Sequence, residues 1–283
     1  MKHIYLNLKR FDVPREMGGV NGLVSMEEWG GAVVKGVQEE LKKYDPRQVG
    51  FSAFFPELHL LNALKARSEG SPLRIGCQGV LHKDVAQGKN FGAFTCGRPA
   101  AAMKAAGCET ALIGHCEERT FLSDILKQAG AHSPQAECSI LNQEIKCALD
   151  RGMDVLYCIG EKSEEQERWT EVLGMQLEKG LEGVDKSRVV IAYEPIWSIG
   201  PGKTPAGKEY ISKIAKFVKE KTGGMDVVYG GGLKKDNAQM LASIPEIDGG
   251  LIALTRFSGE IGFYCEEYLE IIQCYMNGQE ETR

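Results

Sequence analysis

Short apolar runs alternate with longer amphipathic segments along the chain. The runs lack the strict alternation of polar and apolar positions that marks a half-exposed strand, which is typical of parallel strands covered on both faces. The pattern therefore predicts eight strands, and these lie in the runs HIYLNL, VGFSAFF, LRIGCQG, TALIGH, DVLYCIG, VVIAYEP, DVVYGGG and GGLIAL.

The segments between the runs carry the signals of helix ends. Ser25 and Glu28 have the spacing of a capping box, which predicts a helix that opens at Ser25. Gly152 and Gly223 follow amphipathic segments and predict the C-terminal ends of two helices. Strands and helices are thus expected to alternate along the whole chain.

This alternation decides the expected fold class. Strands separated by helices form a parallel sheet, so the protein is expected to be α/β. Eight repeats without a linker or a low-complexity break favour a closed (β/α)8 barrel over an open sheet, with a single domain over residues 1–283. In such a barrel the chemistry lies at the C-terminal ends of the strands.

Composition indicates which kinds of partner and which cellular compartment to expect. The net charge of -5 and the isoelectric point near 5.7 argue against a nucleic-acid partner. No apolar stretch has the length of a membrane span or of a signal peptide. The nine cysteines contain no C-x-x-C pair, so they are expected to be free thiols. These features predict a cytoplasmic protein with no membrane association.

Two strand ends carry candidate catalytic residues. Glu194 closes the run VVIAYE, and burial there raises the pKa of a carboxyl group toward the range of a general base. His115 ends the run TALIGH, where a neutral imidazole can polarise a carbonyl oxygen. A structural ion pair for the glutamate and a structural hydrogen bond for the histidine remain the alternatives.

Further candidates lie in the first strand and in two glycine-rich loops. Lys9 is placed to bind a phosphate or a developing enolate oxygen and Asn7 to orient it, unless they are a solvated lysine and a turn cap. The loop PIWSIGPGKT places Pro195 and Trp197 before glycines and predicts a segment that moves. The glycines at 230–232 offer backbone N–H groups to an anion, although such triplets are also ordinary turns.

These residues stand within segments that together resemble the triosephosphate isomerase family over nearly the whole chain. The resemblance is most specific in the long loop segment, because an uninterrupted match of that length is improbable by chance. The matching segments are NLK at the first strand, GAFT at 92–95, IGHCEER at 113–119, CIGE at 158–161, AYEPIWSIGPGKT at 192–204, YGGGLKKDN at 229–237 and DGGLI at 248–252.

The resemblance implies a role for each matching residue. Glu194 corresponds to the base that moves a proton between neighbouring carbons, and His115 to the neutral electrophile; this pairing is a known property of the family. Lys9 matches the lysine that stabilises the enediolate, with Asn7 beside it. Glu117 matches a supporting acid that contacts that lysine.

The resemblance also implies how a phosphorylated substrate is bound. Gly200 matches the lid glycine whose N–H binds the phosphate, and the segment from Ser198 to Gly202 is expected to move over the ligand; a closing loop is again a known property of the family. The other implied substrate-binding residues are Gly231, Gly232, Ala253 and Leu254.

Partners follow from the same resemblance. The segment GAFT matches the start of the loop through which family members associate, with Thr95 at the residue that reaches the neighbouring subunit. A homodimer that acts on a phosphorylated small sugar is expected, with no metal and no organic cofactor.

Several positions depart from the family pattern. Cys116 stands in place of a serine, Glu118 in place of an arginine, and Pro201 in place of a small polar lid residue. Residues 126–138 suggest a longer or altered connection. A glycine pair that wraps the phosphate is replaced by Ala253 and Leu254.

Three functions remain in competition. The leading one is isomerisation of triose phosphate; the second is a paralogous isomerase of another phosphorylated ketose, such as a tetrulose phosphate. The third is a non-catalytic barrel, against which the joint presence of Lys9, His115 and Glu194 argues. Arg256 either binds a phosphate or carboxylate in a reshaped pocket, or it points to solvent or pairs with a nearby acid such as Glu260.

Overall fold

The computed structural model of the protein describes residues 1–199, 203 and 205–282. Eight parallel strands, β1 to β8, follow one another around a closed barrel in sequence order. This confirms the predicted (β/α)8 fold. Seven strands lie within their predicted runs, and β1 begins at Lys2, one residue before its run. The strands are β1 Lys2–Asn7, β2 Val49–Phe55, β3 Leu73–Cys77, β4 Thr110–Ile113, β5 Asp154–Ile159, β6 Val189–Tyr193, β7 Val227–Tyr229 and β8 Gly249–Ile252.

Nine helices lie among the described residues. They are α1 Trp29–Leu41, α2 Leu60–Ala66, α3 Ala100–Ala106, α4 Cys116–Gln128, α5 Pro134–Asp150, α6 Trp169–Gly180, α7 Lys208–Thr222, α8 Ala238–Ala242 and α9 Cys265–Thr282. None of these helices combines the length and the apolar character that a crossing of a bilayer requires.

The chain divides into two compact units. The first contains residues 1–78 and the chain from Val228 onwards, and the second contains residues 79–227. The expectation of a single domain stays a prediction.

In the first unit, β1 lies between β2 and β8 and supplies much of the core. Ile4 pairs with Phe51 of β2 on one side and with Gly250 of β8 on the other. Ile4 is fully buried. Strands with neighbours on both edges and covered faces have no need of alternating polar positions, which explains the apolar run of β1.

The predicted start of the first helix at Ser25 is wrong, because α1 begins at Trp29. The hydroxyl of Ser25 lies 3.2 Å from Oε2 of Glu28, so the two side chains bond each other instead of capping backbone N–H groups. Trp29 is 2% exposed and its ring contacts those of Phe55 and His59. Tertiary packing of this indole therefore sets where the helix begins.

In the second unit, β5 lies between β4 and β6. The predicted helix ends are confirmed: α7 ends before Gly223, whose φ is 80°, and Gly152, with φ of 69°, follows α5. The altered connection expected over 126–138 is mostly helix, since only residues 129–133 separate α4 from α5. Ser133 caps α5 by accepting a hydrogen bond from the N–H of Ala136 at 3.3 Å.

Candidate active site

Glu194 is the first residue after β6, and its side chain is 2% exposed. Its N–H donates to the carbonyl oxygen of Ile159 on β5 at 2.8 Å, which continues the strand pairing to the end of the sheet. A Cβ on Gly160 would overlap the carbonyl oxygen of Glu194, so glycine is required opposite it. The carboxylate is therefore fixed at a buried strand end.

In the second unit the carboxylate of Glu194 contacts Cys116 and His115. Oε2 accepts a hydrogen bond from the backbone N–H of Cys116 at 2.9 Å. Oε1 lies 3.3 Å from Nε2 of His115. Glu194 and His115, which are 79 positions apart in the sequence, are thus brought together by the ends of β6 and β4.

His115 caps α4 with its ring, and this contact defines its tautomer. Nδ1 accepts a hydrogen bond from the N–H of Glu117 at 3.3 Å. A neutral imidazole that accepts at Nδ1 carries its proton on Nε2, the nitrogen that faces Glu194. The carboxylate of Glu117 is farther away, with Oε2 at 3.6 Å from Nδ1. The ring thus presents an N–H donor beside a buried carboxylate.

The half-buried Glu118 and the buried Glu144 form an acid pair next to Gly114, the residue before His115. Burial raises the pKa of both carboxyl groups, and for Glu144 burial together with the charge of Glu118 raises it to about 9. Glu144 donates to Glu118, which accepts a hydrogen bond from the N–H of Gly114 at 2.5 Å. The arginine expected at position 118 is thus replaced by a carboxyl group that holds the residue before His115.

This pair makes folding stability depend on pH. The folded chain keeps a proton on Glu144 that the unfolded chain releases above a pKa of about 4.3, so its contribution is complete below that pH and is lost as pH rises toward about 9. The free energy of unfolding should fall between pH 5 and pH 9 in the unmodified protein. In Glu144→Gln, which has no proton to lose there, we expect this fall to be smaller by at least about 1 kcal/mol. Denaturant unfolding at several pH values measures this.

The control for that measurement is Glu171→Gln, the same change at an exposed position of α6. It should leave the pH dependence of the free energy of unfolding as it is. Parallel pH profiles for Glu144→Gln and the unmodified protein would contradict the assignment of the proton to the acid pair.

A second buried carboxylate, Glu161, anchors the start of the predicted lid. Its Oε1 accepts hydrogen bonds from the hydroxyl of Tyr193 at 2.9 Å, from Nε1 of Trp197 at 2.8 Å and from the hydroxyl of Tyr210 at 3.0 Å. Burial raises its pKa, although the three donors oppose the shift. Gly200, the predicted phosphate-binding glycine of this segment, lies outside the described residues.

In the first unit, Asn7 and Lys9 form a tight turn at the end of β1. Oδ1 of Asn7 accepts hydrogen bonds from the N–H of Lys9 at 3.0 Å and from Nε2 of Gln78 at 3.3 Å. Lys9 has a φ of 40°, in the left-handed region that favours glycine. Backbone strain of this kind is concentrated at functional sites, where the surrounding structure maintains it.

Gln78 was not among the predicted site residues, although it follows β3 at the same end of the strands. Its Nε2 also lies 3.1 Å from the carbonyl oxygen of Lys9 and 3.3 Å from that of Phe54. The amide of Gln78 therefore holds both ends of the Asn7–Lys9 turn. The rule that selected Asn7 and Lys9, the C-terminal end of a strand, also selects Gln78.

The predicted anion-binding glycines lie after β7. Gly232 has a φ of 98°, and its carbonyl oxygen accepts a hydrogen bond from Nδ2 of Asn237 at 2.9 Å. Gly231 and Gly232 are half-buried, as are Ala253 and Leu254 after β8. The structure thus leaves these four residues partly accessible within the first unit.

Arg256 is engaged within the protein, but not with the acid that was expected. Its Nε and Nη2 lie 2.7 Å and 2.5 Å from Oε1 of Glu267, and its guanidinium lies 3.7 Å from the ring centre of Tyr264. The expected partner Glu260 pairs instead with Arg15 at 3.1 Å. Of the alternatives left open for Arg256, pairing with a nearby acid is thus present, and the acid is Glu267.

Comparison with known proteins identifies the family to which the chain belongs. The triosephosphate isomerase family model matches residues 27–273. The chain belongs to the triosephosphate isomerase family. It is 33% identical over 224 residues to the triosephosphate isomerase of Prosthecochloris aestuarii, which covers 75% of this chain and 81% of that protein. It is 38% identical over 175 residues to that of Chlorobium chlorochromatii, with coverage of 58% and 65%.

A solved structure supports the fold of this triosephosphate isomerase family member. The triosephosphate isomerase of Bartonella henselae matches with a TM-score of 0.72 over 97% of this chain and 99% of that one, at 22% identity. At this identity the likeness concerns the fold. The family itself consists of isomerases, so the expected enzyme class, an intramolecular oxidoreductase, is supported by the family match.

Proposed function

We propose that this protein interconverts glyceraldehyde 3-phosphate and dihydroxyacetone phosphate. The observation that carries the proposal is the buried carboxylate of Glu194, 2% exposed, with Oε1 at 3.3 Å from Nε2 of His115. A base and an N–H donor side by side suit proton transfer next to a carbonyl group. The family match supplies the class of substrate, a small sugar phosphate.

The proposed reaction needs one base and one donor. Glu194 removes a proton from the carbon beside the carbonyl while Nε2–H of His115 stabilises the charge that develops on the carbonyl oxygen. In the enediol intermediate the hydroxyl proton of the substrate passes to the former carbonyl oxygen by way of Nε2 of His115, and Glu194 delivers a proton to the former carbonyl carbon. Each group ends in its starting protonation state, so the atoms balance with no cofactor, and exchange of the proton on Glu194 with solvent introduces deuterium. An N–H donor aimed at a developing oxyanion typically contributes about 10²–10³ in rate.

The roles of Lys9, Asn7 and Glu117 rest on the resemblance and on local geometry. We assign the ammonium group of Lys9 to the negative charge of the enediolate and the amide of Asn7 to its orientation. The strained φ of 40° at Lys9 and the hydrogen bond from its N–H to Oδ1 of Asn7 support this assignment, because both fix the backbone of the turn. Glu117 is assigned to support of that lysine, and its N–H sets the tautomer of His115.

Binding of the phosphate is assigned to backbone N–H groups. Glycines allow such groups to approach an anion because no Cβ intervenes, and the residues assigned are Gly200, Gly231, Gly232, Ala253 and Leu254. Closure of the segment from Ser198 to Gly202 would exclude water from the reacting carbon.

A second candidate substrate is favoured by one observation, the pair Ala253 and Leu254 in place of glycines. The isobutyl group of Leu254 reduces the room around an anion, so a different phosphorylated ketose, such as a tetrulose phosphate, is the alternative. Isomerisation of triose, tetrose and pentose phosphates, measured together with deuterium uptake from solvent, decides between them.

For triose phosphate as the preferred substrate, kcat/KM should approach the diffusional ceiling of about 10⁸–10⁹ M⁻¹s⁻¹. If a longer ketose is preferred, replacing Ala253 and Leu254 with glycines should raise kcat/KM for triose phosphate. If no substrate of the panel takes up deuterium, the protein is not an isomerase of these sugars, and the third hypothesis, a non-catalytic barrel, is supported.

We also propose that the protein is a homodimer in the cytoplasm and acts in glycolysis and gluconeogenesis. The loop after β3 supports the dimer, because Phe91 lies there with 83% of its surface exposed and Thr95 is also exposed. The support lies in the position of these two exposed residues, because the segment GAFT at 92–95 matches the start of the loop through which family members associate. A monomer mass from light scattering, at micromolar concentration, would contradict the dimer.

A further inference from the structure

Three side chains at the ends of β4 and β6 bring different metal-binding atoms together. One ligand atom each from His115, Cys116 and Glu194 lie within 4.8 Å of one another. Oε1 of Glu194 is 3.3 Å from Nε2 of His115, and Sγ of Cys116 is 3.9 Å from both ring nitrogens. We propose that they form a binding site for zinc or a similar divalent cation, whose occupation switches off the isomerase.

The distances suit a small tetrahedral ion. With Zn–N and Zn–O lengths of about 2.0–2.2 Å and a Zn–S length of about 2.3 Å, neighbouring ligand atoms of a zinc tetrahedron are about 3.3–3.7 Å apart. The separation of Nε2 and Oε1, 3.3 Å, already has this value. The thiol has to approach by less than about 1.5 Å, and rotation of the Cys116 side chain supplies that movement.

The protons balance without a further reactant. The thiol of Cys116 releases its proton to solvent on becoming a ligand. His115 loses the proton from Nε2 to solvent and takes one up at Nδ1, so the ring stays neutral. Oε2 of Glu117, 3.6 Å from Nδ1, then accepts a hydrogen bond from the new N–H. One proton is released for each cation bound, and the affinity therefore rises with pH.

The thiol is accessible and distinguishes this chain from the family pattern. Cys116 is half-buried and lines a cavity of about 510 Å³, together with Thr120 and Ile196. The serine that the family has in its place offers a neutral hydroxyl, which is a far weaker zinc ligand than a thiolate. Cys116 thus supplies the thiolate that the family pattern lacks. A cation bound there would also be ligated by Glu194 and His115, so neither could act as base or N–H donor.

Titration with Co²⁺ and inhibition by Zn²⁺ test the proposal independently. The unmodified protein should bind one Co²⁺ per chain with a cobalt–thiolate charge-transfer band. Cys116→Ser should lose that band and need at least about 100-fold more Zn²⁺ to halve its own metal-free rate. Glu117→Gln should keep the band but bind about tenfold more weakly, as for other groups that orient a ligand.

The matched control is Cys96→Ser, which removes an exposed thiol in the same unit. It should leave both the band and the Zn²⁺ sensitivity intact. Absence of the band in the unmodified protein, or its loss in Cys96→Ser and not in Cys116→Ser, would overturn the proposal. The cobalt titration needs no substrate, so failure of the proposed isomerase activity gives a separate result.

Discussion

Glu194→Asp is expected to lower kcat on the preferred sugar phosphate about a hundredfold. The aspartate side chain is one methylene shorter, so the carboxylate moves back from the substrate carbon by roughly an ångström, and misplacement of that size can cost about 10²-fold. The carboxylate accepts a hydrogen bond from the N–H of Cys116 at 2.9 Å, a contact whose partial loss affects stability far less than turnover. Steady-state kinetics and denaturant unfolding of the same variant separate the two effects.

The control for this variant is Glu178→Asp on α6. It makes the same chemical change at a surface glutamate that lies 3.8 Å from Lys221, and it should leave kcat unchanged. Near wild-type turnover of Glu194→Asp on the preferred substrate would remove Glu194 from the role of base, whatever the stability of the variant.

His115→Asn is expected to lower kcat about 10²–10³-fold with little change in stability. Asparagine is among the best helix N-caps, so it can still accept the hydrogen bond from the N–H of Glu117. Its shorter side chain has no donor at the position of Nε2, and removal of one such donor costs about 10²–10³ in kcat. The substitution thus separates the cap of α4 from the donor facing Glu194.

His132→Asn is the matched control, because His132 precedes α5 and pairs with Glu137 at 3.0 Å. It should retain full turnover. If His115→Asn kept the turnover of the unmodified protein, His115 would be a structural cap only, which was the alternative interpretation of this histidine from its sequence position.

The sequence was sufficient for the strands and for the candidate catalytic pair. A strand covered on both faces requires a continuous apolar run, and this is a local property that can be counted along the chain. The end of each run then marks the end of the sheet where side chains of different strands converge. Glu194 and His115 were found by this rule, as were Asn7 and Lys9.

Local signals failed where a distant side chain decides the outcome. Ser25 and Glu28 have the spacing of a capping box, but no cap forms there, and α1 begins at Trp29, whose indole packs on Phe55 and His59. Residue spacing indicates which local hydrogen bonds a segment can form. Tertiary packing decides whether those bonds form in the folded protein.

What the sequence determined by itself is therefore the periodic part of the protein, and the tertiary structure decided the pairing of its charged groups. The sequence places several acids near Arg256, and only the folded structure shows that its partner is Glu267 on α9. Glu118 is 26 positions from Glu144, yet burial makes the two share a proton. Charged side chains are long and carry no period, so their partners are set by which elements the folded barrel brings together.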